Sequence, residues 1–310
     1  MKTDFKSKIE LTRYYADEEN CKKLLAQQRW NSTEDSACPH CGNYGKNYIT
    51  ARGYKCRAKE CGKKFTVTTG TIFENTKIKL NLWFEAIFVI TAHKKGISSH
   101  QLAKDIDVSQ KTAWFILHRV REMLKNKSPE LLSGVVEADE TYVGGLEKNK
   151  HAKKRVAFTE GKFVQNKTMV AGVLQRKGEV RLQIIGDTSR ASLIPFLSKH
   201  VKPNTVMCTD TWKGYNGLQK NYFHLRVDHS KGEYKRGMVC TNGIENFWSQ
   251  LKRGIDGIYH HVTPKHLERY CDEFAYRYNS RKIADVDRFT YVLTHCEGRL
   301  KWDDLTANHE

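Results

Sequence analysis

The chain has 310 residues, with 53 Lys or Arg against 35 Asp or Glu and a formal charge of +18. That length allows two or three domains with separate cores, and that charge favours a polyanionic partner. An anionic membrane is the weaker partner, because the longest apolar stretch (80–92) carries Glu85 and falls short of the ~20 residues that span a bilayer, and residues 1–15 lack a signal-peptide core.

The expectation is an intracellular, nucleic-acid-binding protein in the cytoplasm. Nine cysteines, an odd number with four of them between 38 and 61, suit a reducing compartment and one metal site better than a disulfide framework.

Residues 1–30 read as a helical segment with Tyr14, Cys21, Leu24, Leu25 and Trp30 turned inward. Residues 31–75 are rich in turn formers. Cys38 and Cys41 form C-x2-C, and after fourteen residues Cys56 and Cys61 form C-x4-C. Four thiolates at that spacing suit a tetrahedral, structural Zn²⁺ with no open position, and Gly42 and Gly62 allow the tight turns around sulfur. His40 is expected in solvent.

Residues 76–128 return to helical spacing. Within 96–124 two helices meet at Asp107-Val108-Ser109, stitched by Leu102, Ala103, Ile106, Val108, Ala113, Ile116 and Leu117. Ser109 is a natural N-cap, which would expose Gln110, Lys111 and Thr112 where a helix-turn-helix presents residues to base edges. A plain helical bundle with a basic face is the rival reading. Residues 126–134 have the Pro and Gly of a linker.

From 134 to 300 strands and helices alternate. Strands are expected at 134–145, 169–186 (a hairpin turning at Lys177-Gly178), 205–210 and 223–227, and helices at 189–201, 241–255 and 264–282. The run Lys148, Lys150, Lys153, Lys154 and Arg155 falls in a hairpin or loop and could track phosphates, giving steep salt dependence.

Phosphodiester chemistry without a covalent intermediate generally uses two hard divalent ions held by carboxylates on rigid elements. Asp139 lies in an apolar strand, Asp210 ends another, and Glu245 lies at the start of a helix with Lys252 on the same face. Glu137 and Glu140 are the rival acids, and Glu137 shares the face of Asp139, so alternation alone leaves it standing. Asn242 and Glu245 also have capping-box spacing. Chemistry favours Glu245 as the ligand, with Asn242 as the cap. His229 fits the site edge or a surface loop equally well. Trp212 and Trp248 flank two of the acids, placed to pack beneath them, with stacking on an unpaired base at a DNA end as the other reading of Trp212. His260 and His261 are given structural roles, and Tyr270, Phe274 and Tyr278 are assigned to the core.

The stretches "EADETYVGG", "TDTWKGY", "NGIENFWSQLKRGIDGIYHHVTPKHLERY" and "FAYRYNSRK" resemble DDE-type transposases of bacterial insertion sequences that carry an N-terminal zinc ribbon. The resemblance implies an α+β multidomain chain: helical, zinc-ribbon and helix-turn-helix modules followed by an RNase H-like α/β catalytic domain. Asp139 and Asp210 match the first two ligands of Mg²⁺ (or Mn²⁺), and Lys252 the basic residue after the third. The third place is described with either Asn or Glu, so both Asn242 and Glu245 stand. The implied partner is double-stranded DNA, as terminal inverted repeats and target, bound by at least a dimer on the bacterial nucleoid. The rivals are a non-catalytic zinc-ribbon/helix-turn-helix regulator and an RNase H-like nuclease without strand transfer.

Overall fold

The computed structural model describes residues 5–145 and 167–307, and its contacts divide into two compact units. One comprises the chain up to Leu124 together with the segment from Lys282 onward. The other is Lys125–Arg281. After Arg281 the chain returns to the first unit.

In the first unit, α1 (Lys8–Tyr14) and α2 (Glu18–Trp30) replace the single expected helix. They are separated because Asp17 caps α2 through the Glu19 amide. Short strands β1 (Ser36–Ala37), β2 (Tyr44–Gly45), β3 (Tyr48–Thr50), β4 (Gly53–Lys55) and β5 (Lys64–Phe65) build the cysteine-bearing ribbon. Trp30 packs edge-on against Tyr54 and Phe65, tying the ribbon to α2.

Helix α3 (Leu80–Ala92) is buried along nearly its whole length, and its Phe84 and Phe88 meet Phe289 of α9 (Asp285–Leu293). Helices α4 (Ser99–Asp105) and α5 (Gln110–Met123) are capped by Ser98 and Ser109, with Asp107 at φ +52 in the turn between them. The stitching residues Leu102, Ala103, Ile106, Ala113, Ile116 and Leu117 are buried, and Val108 is half-buried. A short α10 (Trp302–Thr306) closes the unit. Among the described residues no helix is long and apolar enough to cross a membrane.

The second unit is built on β6 (Val135–Val143), β7 (Thr168–Gln175) and β8 (Val180–Ile185), an antiparallel meander whose last turn places Lys177 at φ +62. After α6 (Arg190–His200), β9 (Val206–Thr209) and β10 (Phe223–Arg226) add to the other edge in parallel, giving the order β10-β9-β6-β7-β8. Helices α7 (Asn242–Gly254) and α8 (Pro264–Asn279) cover one face and α6 the other. This is an RNase H-like fold.

Alternation along β6 sorts its residues. Val136 and Ala138 join the core with Phe196 and Leu197 of α6, while Val143 joins that of Phe247, Leu251 and Phe274. Tyr270 and Phe274 are core residues as expected, with Tyr278 partly buried beside them. Gly254 ends α7 where a Cβ would lie 2.1 Å from the Phe274 ring, so only glycine lets α7 and α8 approach this closely.

Candidate active site

Parallel pairing sets Val135 opposite Val206, Val136 opposite Met207 and Glu137 opposite Cys208. Carrying that register two residues further places Asp210 across from Asp139, where β9 has ended. The carboxyl end of adjacent parallel strands is where open α/β sheets form ligand crevices.

Asp139 is half-buried on the α7 face of β6, and its Oδ2 accepts the Trp248 indole N–H at 3.0 Å. Trp248 reaches it by lying over Gly172, the β7 residue paired with Asp139. A Cβ on Gly172 would fall 2.5 Å from the indole. The expectation that Trp248 packs beneath the acids agrees with this geometry.

Burial pushes the Asp139 carboxyl up to about 6, and the carboxylates of Asp210 and Glu245 raise it further in the same direction. Hydrogen bonds from the Glu140 amide and the indole oppose them. Glu140 is pushed up to about 7, first by burial and then by Asp139 and Asp210, while the hydroxyl of buried Tyr215 donates to its Oε2 at 2.5 Å. Asp139, Asp210 and Glu245 thus share one electrostatic neighbourhood with excess negative charge.

Asp210 is half-buried, and its Oδ1 accepts the Trp212 amide at 2.9 Å. The Trp212 indole donates to Thr188 O at 2.9 Å and leaves the ring 45 % exposed beside the acid. Glu245 Oε1 accepts the Thr241 hydroxyl at 2.6 Å. His229 Nε2 lies 3.2 Å from that hydroxyl and 3.4 Å from the same carboxylate oxygen. His229 therefore lies beside Glu245, the first of the two places its sequence position allowed. His260 and His261 are exposed, and His260 Nδ1 contacts Asp256 O at 3.0 Å.

Two sequence readings change. The N-cap of α7 is Thr241, and Asn242 is an exposed first-turn residue, so the capping role expected of Asn242 falls elsewhere. The orphan amide of Ile244 is instead satisfied by Glu137 Oε2 at 3.0 Å. Glu137 is only 2 % exposed, and its other oxygen pairs with Arg176 Nε at 2.7 Å. Both oxygens are committed, which separates Glu137 from Asp139. No sequence signal at Arg176 pointed to this pairing. Lys252, one turn from the end of α7, is exposed and pairs with no described residue.

The donor set suits hard divalent ions: half-buried carboxylates on a strand, just past a strand end and on a helix. Among the described residues the four cysteines alone are gathered tightly enough to hold a single ion.

In the ribbon, Cys38 and Cys61 sulfurs are 3.8 Å apart and those of Cys41 and Cys56 are 3.5 Å apart. Tetrahedral Zn–S bonds of ~2.3 Å require about 3.8 Å between sulfurs. The four residues fit a structural zinc.

In α5, Gln110 donates to Ser99 Oγ at 2.8 Å, and Thr112 Oγ1 is 2.9 Å from the capping Ser109 hydroxyl. Lys111 Nζ lies 4.6 Å above the Trp302 ring. Lys148, Lys150, Lys153, Lys154 and Arg155 lie outside the described residues.

Residues 131–279 match the ISXO2-like transposase domain, and residues 16–64 match the transposase zinc-ribbon domain. A protein of transposable element ISH50 from Halobacterium salinarum is 30 % identical over 277 residues, covering 85 % of this chain and 91 % of its own. A transposase-like protein of Haemophilus influenzae is 31 % identical over 108 residues, 34 % of this chain and 86 % of its own. Among solved structures, the Mos1 transposase paired-end complex with left transposon end overlaps 62 % of this chain and 78 % of its own, at 12 % identity and a TM-score of 0.22.

The chain belongs to the ISXO2-like transposase family with a zinc ribbon. Its chemistry is of transposase type.

Proposed function

We propose that this transposase cleaves DNA at transposon ends and joins the freed 3′-hydroxyl to target DNA, using Mg²⁺ or Mn²⁺ held by Asp139, Asp210 and Glu245. The observation that carries the reading is the strand register that sets Asp210, just past the end of β9, across from Asp139 in the middle of β6, with the carboxylates of Asp210 and Glu245 both pushing the Asp139 carboxyl up. Carboxylates whose charges raise one another's cost of ionisation are concentrated at functional sites.

When bound, the two ions activate an attacking oxygen and stabilise the departing one. Asp139 is central, because the carboxylates of Asp210 and Glu245 both act on it. Trp248 holds the Asp139 carboxylate in orientation through its indole N–H. Thr241 does the same for Glu245 by donating its hydroxyl. The Asp210 carboxylate is turned by the Trp212 amide, which leaves the indole face open beside the acid for an unpaired base. Lys252, exposed in the last turn of the helix that carries Glu245, would steady a phosphate. The ribbon, the first turn of α5 and the basic run through Lys153, Lys154 and Arg155 recognise the double-stranded ends. Two ends must meet, so the working form is at least a dimer on DNA.

The test is joining of pre-cut donor DNA to a plasmid target with Mg²⁺ or Mn²⁺. Asp139→Asn and Asp210→Asn should each abolish joining while leaving end binding in EDTA intact. Glu245→Gln against Asn242→Asp decides the third ligand: loss with the first and tolerance of the second fits Glu245. Cutting that never leads to joining would make the protein a nuclease. Unaltered function in both Asp variants would make it a regulator.

A further inference from the structure

We propose that Glu137 and Arg176 are positioning residues that set the separation of Asp139 and Glu245, an inference that rests on the metal-ligand reading above. Glu137 lies two residues before Asp139 on the same face of β6, and its Oε2 accepts the Ile244 amide one residue before Glu245. One carboxylate therefore joins the strand carrying the first ligand to the helix carrying the third.

Arg176 extends the join to the chain entering α7. Its Nε binds Glu137 Oε1 at 2.7 Å, Nη1 donates to Met238 O at 2.6 Å, and Nη2 donates to Cys240 O and Sγ, each at 3.0 Å. Its own backbone amide is fixed on Val135 O at 3.0 Å, at the start of β6. Every nitrogen of the guanidinium is thus bound to the segment leading to α7 or to the acid that caps it.

The helix N-terminus favours a carboxylate at this place through its unpaired amides and dipole. Gly243 makes the approach possible, since a Cβ there would lie 2.7 Å from Glu137 Oε2.

A buried ion pair is a poor source of stability, because desolvation offsets much of its attraction and an apolar replacement of like shape is often neutral or better. It is a good source of direction. Its contacts reach β6, which carries Asp139, α7, which carries Glu245, and the segment entering α7, and both Glu137 oxygens already accept hydrogen bonds. Groups that orient metal ligands through hydrogen bonds typically change metal affinity about 10–100-fold when altered.

The experiment is calorimetric titration of the DNA-free full chain with Mn²⁺, comparing wild type, Glu137→Gln, Arg176→Lys and Asp139→Asn, with end-DNA binding in EDTA as the measure of intact folding. Glu137→Gln should bind DNA in EDTA like wild type and bind Mn²⁺ about tenfold more weakly. Arg176→Lys, which keeps the charge but cannot reach all the acceptors, should fall between them. If Glu137→Gln does not fold, Gly243→Ala displaces the carboxylate without altering charge and should weaken Mn²⁺ binding in the same way. Wild-type Mn²⁺ affinity in the clamp variants, with binding lost in Asp139→Asn, overturns the positioning role alone. Wild-type affinity in Asp139→Asn as well overturns the metal-ligand reading itself.

Discussion

Lys111 of α5 holds its ammonium 4.6 Å above the ring of Trp302, the first residue of α10, and that ring also packs edge-on against Trp114 and Phe115. Positions 111, 114 and 115 share one face of α5. The C-terminal helix therefore covers part of the edge that a recognition helix presents to bases. If α5 enters a groove, this contact competes with DNA. Trp302→Ala should tighten binding to end DNA and steepen its salt dependence, read by titration at several salt concentrations. The same substitution should lower the melting temperature, since an indole packed on two rings is removed. Unchanged affinity in a folded Trp302→Ala variant would mean that the first turn of α5 does not read the ends.

The ribbon predicts a stoichiometry. Its sulfur spacing fits one tetrahedral ion, so protein purified without chelator should carry one zinc per chain by metal analysis. Cys56→Ser should lose it. Apparent binding energies of structural zinc in small modules are on the order of 10 kcal/mol, more than the ribbon's short strands supply. Proteolysis of Cys56→Ser should therefore cut first within 31–75. A resistant ribbon in the zinc-free protein would assign its stability to Trp30, Tyr54 and Phe65.

Much of this was legible in the amino-acid sequence. The two cysteine pairs, the Lys177-Gly178 hairpin and the apolar strands around Asp139 and Asp210 each leave a local signal, because turn chemistry and period-two alternation act over a few residues. What was missed depends on partners distant along the chain. Asn242 has the residue type and spacing of a cap, yet the amide of Ile244 is taken by Glu137, 107 residues earlier. Arg176 looks like an ordinary hairpin residue until folding brings Met238 and Cys240 to it. The membership of α9 in the first unit likewise rests on packing against α3, which no local signal announces. Alternation put Glu137 and Asp139 on one face. Only their partners distinguish a clamp from a ligand.

Asp139 gives a pH prediction whose sign is fixed. Its carboxyl is pushed from the usual carboxylate range up to about 6, so between roughly pH 4 and 6 the metal-free folded chain holds more protons than the unfolded one. The contribution of Asp139 to metal-free stability is therefore most unfavourable above pH 6 and disappears as pH falls toward 4. Asp139→Asn should melt higher than wild type at pH 8 without metal. The gain is on the order of 2 kcal/mol, or about 4–8 °C. It should shrink to nothing near pH 4. His200 and His224, both pushed down to about 4 chiefly by burial, lower stability as pH falls from about 6.5, but they are common to both proteins and cancel in the difference. Added Mn²⁺ should raise the wild-type melting temperature and leave that of Asp139→Asn unmoved. A wild type that melts higher than Asp139→Asn at pH 8 without metal would show that the carboxylate is compensated within the protein.

Gly172 and Trp248 should behave as one unit. The indole lies where a Gly172 side chain would project, and this overlap lets its N–H reach Asp139. Gly172→Ala places a methyl 2.5 Å from two ring atoms, so the ring must shift or the strand must yield, at a cost of about 1–3 kcal/mol. Trp248→Phe removes the hydrogen bond to Asp139 and part of the packing. In the double variant the smaller ring makes room for the methyl, so the combined loss should be less than the sum by about 1 kcal/mol, measured by denaturant unfolding. Either single variant should also raise the pH needed for half-saturation by Mn²⁺, since the indole N–H favours the ionised Asp139 carboxylate. Additive stabilities would show that the ring moves aside without cost, and an unshifted Mn²⁺ profile would remove Trp248 from the groups that orient Asp139.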